Sequence, residues 1–535
     1  MEQRCTTMRN EYNILLYVFL AVAVISCSHP EHDAPFRNVV AFYKEQGDTL
    51  KLRAAEYLKA SAGYHYGVRR TIPPGISGDS FIKIEKGDSV FKHYLDSLGY
   101  KVELGKPVWD LDVLTDSFLI DNIELAFDSW KKPWARDLSF DQFCRYVLPY
   151  RNGDEVLSNW RRYFKHNIEP TIEDSVADPT KLRDVVEYVM RVLRRRVEYG
   201  GSTGAFCREL ITPVDMERLH WVNCSNAAHY TTLALRACGI PCTQMHINWR
   251  FTEVSHSSVL IPEVGTNKHA FRVTLGDTLM MMGAPKDTMA CWRVWTLDYE
   301  PNPALTLLME ESKRLQSHLL HNLAFPVTRG DVTSDFCKTY DFALPIPDSV
   351  HQEHYLFLCR FYKWKWLPVR EGVVDGDSVR FRDATIRQFY RLGYLRGDSI
   401  TTFGTPFTLV GDNAISDVQQ RIQPFNLSGD TVLFKMVYPC KADETRLTRT
   451  ITTHYWDDSN QWHSYTGEAK LWGYNVSADK YKLFTESLRG RYNPVFHILE
   501  LHLPCWTVFT DDETDRPLGY LSTDSITGEG CFMQF

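Results

Sequence analysis

The chain has 535 residues, 44% of them hydrophobic, and a formal net charge of −7 at pH 7. That length accommodates about three or four domains, and a sequence pI of about 6.2 excludes the basic footprint of a nucleic-acid-binding surface. Aromatic residues make up 13%, which suits β-rich packing and also surfaces that contact glycans.

Arg4 and Arg9 precede an apolar run over residues 14–25, closed by Ser26-Cys27. The run is short for a membrane span and is predicted to be a targeting segment outside the fold. Val24-Ile25-Ser26-Cys27 resembles the lipobox of a bacterial lipoprotein signal. The resemblance implies a mature chain that begins at a lipidated Cys27, followed by a polar tether over 28–36. The implied location is the bacterial cell envelope, lipid-anchored in the outer membrane and facing the periplasm or the surface. Export permits disulfides. Of 13 cysteines, Cys5 and Cys27 belong to the leader, and the odd remainder leaves at least one thiol free. No CxxC pair or Cys/His zinc spacing occurs, so no metal is expected.

Helical spacing dominates residues 36–179. Helices are predicted over 36–45 and 48–61, with Asp48 as N-cap of the second. Pro73-Pro74-Gly75 marks a loop. Residues 88–98 and 116–131 follow, each opened by an Asp in capping position. Helices are then expected over 138–149, 155–164 and 179–197, the last with Arg194-Arg195-Arg196 as a solvated end.

The next stretch carries the chemistry. Trp221-Val222-Asn223-Cys224 leads into a helix predicted to run to Cys238 and to stop at Gly239-Ile240-Pro241, with Gly just past the end and Pro soon after. A cysteine at a helix N-terminus meets the positive end of the helix dipole, which favours thiolate, the nucleophilic form. Strands are predicted over 242–249, 257–261, 269–275 and 278–282, with Gly276-Asp277 as the turn between the last two. His269 heads the third strand.

The Cys224 helix, Arg236-Ala237-Cys238-Gly239-Ile240-Pro241 and His269-Ala270-Phe271 together resemble the core motif of the transglutaminase-like superfamily. The resemblance covers 180–325 and implies a papain-like layout, a Cys-bearing helix followed by an antiparallel sheet bearing His. Phe143-Cys144-Arg145-Tyr146-Val147-Leu148-Pro149-Tyr150-Arg151, Asp331-Val332-Thr333 and Gly404-Thr405-Pro406-Phe407 resemble flanking pieces of multidomain transglutaminase-like proteins of Gram-negative gut-type bacteria. The implied chemistry is attack of the Cys224 thiolate on an amide carbonyl. His269 would take the thiol proton and return it to the leaving amine. Members of the family carry an Asp after the His on the next strand, often in Trp-x-x-x-Asp-Pro. This chain departs from that pattern: Gly283 stands near the expected position and Asp287, four residues late, is the nearest acid. The family's His-x-Trp is His-Ala-Phe here. The Cys224 backbone N–H would contribute to an oxyanion hole, with Trp221 as the nearby aromatic. His256 and His229 read as structural.

From residue 326 strands and turns take over. Val374-Asp375-Gly376-Asp377 and Gly404-Thr405-Pro406 are turn signals. Tyr362, Trp364 and Trp366 alternate as on one strand and would share a face. The expected fold class is α+β multidomain: signal peptide 1–27, helical N-terminal region 36–179, transglutaminase-like core 180–325, β-sandwich-like domain 326–425 and a second β-rich domain 426–535. The expected function is cysteine-dependent amide hydrolysis or acyl transfer on a peptide or glycopeptide through a thioester, with no cofactor and no nucleic acid. The only membrane contact expected is the lipid anchor. The alternative is an inactive scaffold whose β domains bind carbohydrate or a protein partner.

Overall fold

The computed structural model describes residues 34–70, 104–199, 210–249, 255–265, 267, 269–276, 280–281, 291–319, 327–362, 365–385 and 389–409, and beyond these only separate strands between Ile422 and Gln534. Cys27, Asp287 and the helix expected over 88–98 lie outside the described residues. The fold is α+β, with helices leading and several antiparallel sheets following. Two compact units divide the chain. The described residues of the first are those up to Arg70, 104–189 and 233–241; those of the second are 190–232 and from Cys242 onward.

The first unit contains α1 (Ala34–Glu45), α2 (Thr49–Ala62), β1 (Tyr66–Arg70), β2 (Leu104–Trp109), α3 (Asp110–Val113), α4 (Asp116–Trp130), α5 (Phe140–Tyr146), α6 (Trp160–Ile168), α7 (Pro170–Ser175) and the start of α8 (Leu182–Leu193). Asp48 caps α2 as expected, accepting from the Lys51 N–H at 3.1 Å. The cap of α4 is Thr115, not Asp116; its hydroxyl accepts from the Phe118 N–H, and Asp116 sits one position inside, at the positive end of the helix. Ser139 and Gln142 form a reciprocal capping box on α5. The helix expected over 155–164 begins only at Trp160. Glu155 is drawn elsewhere: its carboxylate accepts the backbone N–H groups of Asn152 and Gly153 at 2.9 and 2.7 Å. It lies beside Arg151, which pairs with the buried Asp110. Local hydrogen bonds to a turn thus outcompete the helix.

The second unit opens with β3 (Glu198–Tyr199), α9 (Pro213–Leu219) and β4 (Trp221–Val222), β3 and β4 pairing in parallel. Helix α10 (Cys224–Ala237) follows; its residues to Thr232 count with this unit and the rest with the first. Strands β5 (Thr243–Trp249), β6 (Ser255–Ile261), β7 (Phe271–Val273), β8 (Met280–Met281) and β9 (Cys291–Leu297) come next, then α11 (Pro303–Leu315) and β10 (Arg329–Asp331). They form an antiparallel sheet in the order β10-β9-β5-β6-β7-β8. After α12 (Thr333–Phe336), the strands β11 (Thr339–Pro345), β12 (Tyr355–Tyr362), β13 (Lys365–Asp375), β14 (Ser378–Thr385), β15 (Phe389–Arg396), β16 (Ser399–Leu409) and β17 (Ile422–Pro424) build a second antiparallel sheet, order β11-β14-β13-β12-β15-β16-β17. Phe342, Leu356, Leu358, Val379, Phe381 and Phe407 are buried in its core.

Two expectations in this sheet are corrected. Gly404-Thr405-Pro406 is not a chain reversal but a bulge inside β16. Tyr390 pairs with Phe407 and Leu392 with Phe403, so extra residues of β16 are looped out. Gly404 has φ +70°, open to glycine, and proline lacks the N–H a regular ladder needs. Tyr362 and Trp366 do not share a strand: Tyr362 ends β12 and Trp366 lies on β13, where it pairs with Phe361. Trp364 lies outside the described residues.

Asp331 ties the two sheets. Its carboxylate accepts from Arg370 of β13 at 3.0 Å and from the Thr333 N–H at 3.0 Å, and it pairs with Arg293 of β9 at 3.2 Å. Burial alone would raise its pKa, but Arg370 and Arg293 hold it below the usual carboxylate range. Thr333 also bonds both backbone groups of Val294. Here the flanking Asp331-Val332-Thr333 is a structural joint. Cys291 and Cys337 form a disulfide next to it.

Candidate functional site

Helix α10 is built around its cysteine-bearing end. Asn223 caps it: the Asn226 N–H donates to Asn223 Oδ1 at 2.9 Å and the Ala227 N–H to the Asn223 carbonyl at 2.8 Å. Cys224 is therefore the first helical residue. Residues 223–225 are half-exposed, whereas every residue from Asn226 to Thr243 is buried. The Cys224 thiol is free. A helix buried on all sides with an open first turn presents one reactive group to solvent.

The other end of α10 is closed. The Gly239 N–H donates to the Arg236 carbonyl at 3.0 Å and the Ile240 N–H to the Leu235 carbonyl at 2.9 Å, a Schellman motif. Gly239 has φ +78°, and an added Cβ would stand 2.5 Å from the Ser129 carbonyl oxygen. Three side chains donate to the final carbonyls: Arg161 to Arg236 at 3.1 Å, Ser129 to Ala237 at 2.8 Å and Trp134 to Cys238 at 2.7 Å. Arg161 also donates to the carbonyls of Val147, Leu148 and Pro149 and to Asn122 Oδ1. Arg236 donates in turn to the Arg151 carbonyl at 3.0 Å. The segment 143–151, singled out in the sequence, is thus the collar through which Arg161 and Arg236 are held.

At the open end, a ring of side chains meets the first turn. Ser225 Oγ lies 3.1 Å from Ser257 Oγ on β6. Ser257 Oγ lies 2.8 Å from His246 Nδ1 on β5. His246 Nε2 lies 3.2 Å from Gln244 Nε2, and that same amide nitrogen approaches the Ser225 carbonyl at 3.5 Å. Strand alternation explains the grouping. Gln244 and His246 share one face of β5, and Ser257 is registered opposite His246. Met245 and Ile247 take the other face, into a core with Cys291 and Val294. His246 stacks on Trp295 at 4.1 Å, and the Arg329 guanidinium covers the same indole at 4.1 Å. Burial, the Arg329 charge and His256 push the His246 pKa down to about 3, so the imidazole is neutral at ordinary pH.

The residues expected from sequence fall as follows. His269 is exposed, two residues before β7, whose Phe271 pairs with Ile261 of β6. Among the described residues no hydrogen bond or ion pair joins Cys224 to His269. Trp221 opens β4, three residues before Cys224, with its backbone paired to Glu198. His256 is registered opposite Ile247, on the face away from Ser257, and His229 is fully buried in α10. Asp287 lies outside the described residues. The ring of Gln244, His246, Ser257 and Ser225 was not foreseen. The available signal was the alternation Gln244-Met245-His246-Ile247-Asn248, polar at every second position of a strand.

Among the described residues, no group of three or more His, Cys, Asp or Glu side chains could hold a metal ion, and no helix is long and apolar enough to cross a membrane. Comparison with protein-family models, with curated proteins and with solved structures finds no match for this chain.

Proposed function

We propose that this chain is a cysteine-dependent amide hydrolase or acyltransferase of transglutaminase-like type that acts on a peptide or glycopeptide. The observation that carries the reading is the burial profile of α10: a capped helix enclosed along its length, with a free, half-exposed cysteine in its open first turn. In the proposed reaction Cys224 Sγ bonds to the amide carbonyl carbon and its proton passes to His269. The charge that develops on the carbonyl oxygen meets the Cys224 backbone N–H. The C–N bond breaks, the amine leaves with the proton from His269, and water or a second amine resolves the thioester. Asp287 is the acid assigned to orient His269, and Trp221 the aromatic beside the nucleophile. No metal or organic cofactor enters the reading. The same reading places the chain in the cell envelope, anchored through a lipid on Cys27. Its proposed divisions are a helical region over 36–179, a catalytic core over 180–325 and β domains over 326–425 and 426–535.

The test is the pH dependence of Cys224 alkylation, mapped by peptide mass, in the wild type and in His269→Ala. The expected result is fast labelling well below the free-thiol value of about 8.5, lost in the variant. One observation favours a second reading, an inactive scaffold whose β domains bind carbohydrate or a protein partner: Cys224 and His269 share no hydrogen bond. Labelling that follows an ordinary thiol and ignores His269→Ala selects that reading.

A further inference from the structure

We infer that His246 is a positioning residue: through Ser257 it holds Ser225, and with it the first turn of α10, in the geometry that presents Cys224. The inference rests on Cys224 being the nucleophile. The ring is closed and directional. The Ser225 carbonyl oxygen can only accept, so the group facing it at 3.5 Å is the amide nitrogen of Gln244. That nitrogen can only donate, so His246 Nε2 at 3.2 Å must accept. The proton of the neutral imidazole then sits on Nδ1 and is donated to Ser257 Oγ at 2.8 Å. The Ser257 hydroxyl is in turn joined to Ser225 Oγ at 3.1 Å, in a bond either hydroxyl can donate. The path leaves the Ser225 carbonyl and returns to the Ser225 side chain, so one residue is gripped twice, directly after Cys224.

A proton added to Nε2 would break the ring at Gln244, because two donors would face each other. The surroundings oppose that proton: Arg329 on β10 and His256 on β6 both lower the pKa of His246, and burial does so most. Arg293, on the neighbouring β9, is registered opposite Asn248, two positions along β5, and its charge is matched by Asp331 of β10, with which it pairs at 3.2 Å. The ring therefore keeps one tautomer through the working pH range, and general-base work falls to a different imidazole.

The test uses the full chain and three variants, Ser257→Ala, Ser225→Ala and their double. Hydrogen exchange is followed by mass spectrometry over peptides covering 222–230, and Cys224 alkylation is followed in parallel. Loss of one neutral hydrogen bond predicts first-turn exchange faster by about three- to ten-fold in each single variant. The double should show little further change, because both substitutions cut the same path. The Cys224 labelling rate should shift by a similar factor. Selective ¹⁵N labelling of histidine should show His246 as a single Nδ1–H tautomer that does not titrate between about pH 5 and 8, against an ordinary value near 6.5. Unchanged exchange in the single variants, effects that multiply in the double, or a His246 that titrates near 6.5 would each overturn the inference. The failure of the catalytic reading looks different: an ordinary Cys224 thiol in the wild type, with exchange still responding to Ser257→Ala.

Discussion

The two ends of α10 are held by different chemistry. At the last turn, carbonyls are the groups to be satisfied, and a buried guanidinium, an indole N–H, a hydroxyl and a Schellman turn satisfy them. At the first turn, the Asn226 N–H is taken by the Asn223 cap, and the side chains beyond form a ring of neutral polar groups. The closed end is dense with obligatory bonds in a buried setting, where a missing partner costs about 1–3 kcal/mol per orphaned group. At the open end residues 223–225 are half-exposed, so water can replace a lost partner of theirs, while Gln244 and Ser257 behind them are buried. Stability should therefore reside at Gly239 and Arg161, and reactivity at Cys224 and its neighbours.

The sharpest way to break this contrast is Arg161→Met. It removes five donor contacts and leaves the carbonyls of Val147, Leu148, Pro149 and Arg236 without that donor. The expected loss is at least about 3 kcal/mol, read as a fall in the denaturant midpoint. Cys224 labelling in the surviving folded fraction should be unchanged. If labelling collapses while stability holds, the division between the two ends is wrong.

Acid should test the open end and the sheet joint together. His246 has a folded pKa of about 3, below the unfolded value near 6.5. The unfolded chain therefore binds more protons between these values, and stability falls as pH drops from about 6.5 toward 3, by up to about 1.4 kcal/mol per pH unit. Asp331 has a depressed folded pKa, so its contribution is present above the ordinary carboxylate value and is lost as pH falls further. Urea titrations at pH 7, 5 and 4 should show a declining midpoint, and His246→Gln should flatten the decline. An unchanged slope in that variant would show that His246 does not titrate as its surroundings require.

Much of α10 was legible in the sequence, because capping and stop signals are local. The predicted span 224–238 and the observed Cys224–Ala237 differ by one residue. Asp48 was legible for the same reason. What escaped was set partly by competition between neighbouring residues and partly by contacts far apart in the chain. Glu155 left its expected helix to serve a turn beside Arg151 and Asp110. Thr115 displaced Asp116 as cap. Gly404-Thr405-Pro406 has the composition of a turn, and only the register of β15 against β16 makes it a bulge. The pairing of Cys291 with Cys337 has no local signature either. The ring around His246 needed the β5–β6 register, which places Ser257 opposite an imidazole eleven residues away.

A smaller effect probes the disulfide. Cys291 and Cys337 are 46 residues apart, and a loop of that size corresponds to about 3–4 kcal/mol of unfolded-state entropy. The Asp331 joint spans the same region independently, through Arg370 and Thr333. The reduced, unfolded chain retains some structure, so reduction should lower stability by less than the loop-entropy figure, about 2 kcal/mol, read as a fall in the denaturant midpoint.

The smallest expected effect, and the finest discrimination, comes from Ser129→Ala. Ser129 Oγ donates to the Ala237 carbonyl and also receives the Lys165 ammonium at 2.9 Å. The hydroxyl also lies 3.1 Å from the Leu125 carbonyl and from Glu169 Oε1, but Lys165 keeps its ion pair with Glu169 when it is removed, so the loss falls mainly on the Ala237 carbonyl and costs about 1 kcal/mol. Gly239 packs against the backbone of the same residue, which Ser129→Ala leaves in place. Gly239→Ala forces a Cβ onto that backbone and should cost more than Ser129→Ala. If the two substitutions cost the same, the hydrogen bond and not the close approach closes the helix. Glycine would then be kept at 239 for its φ alone.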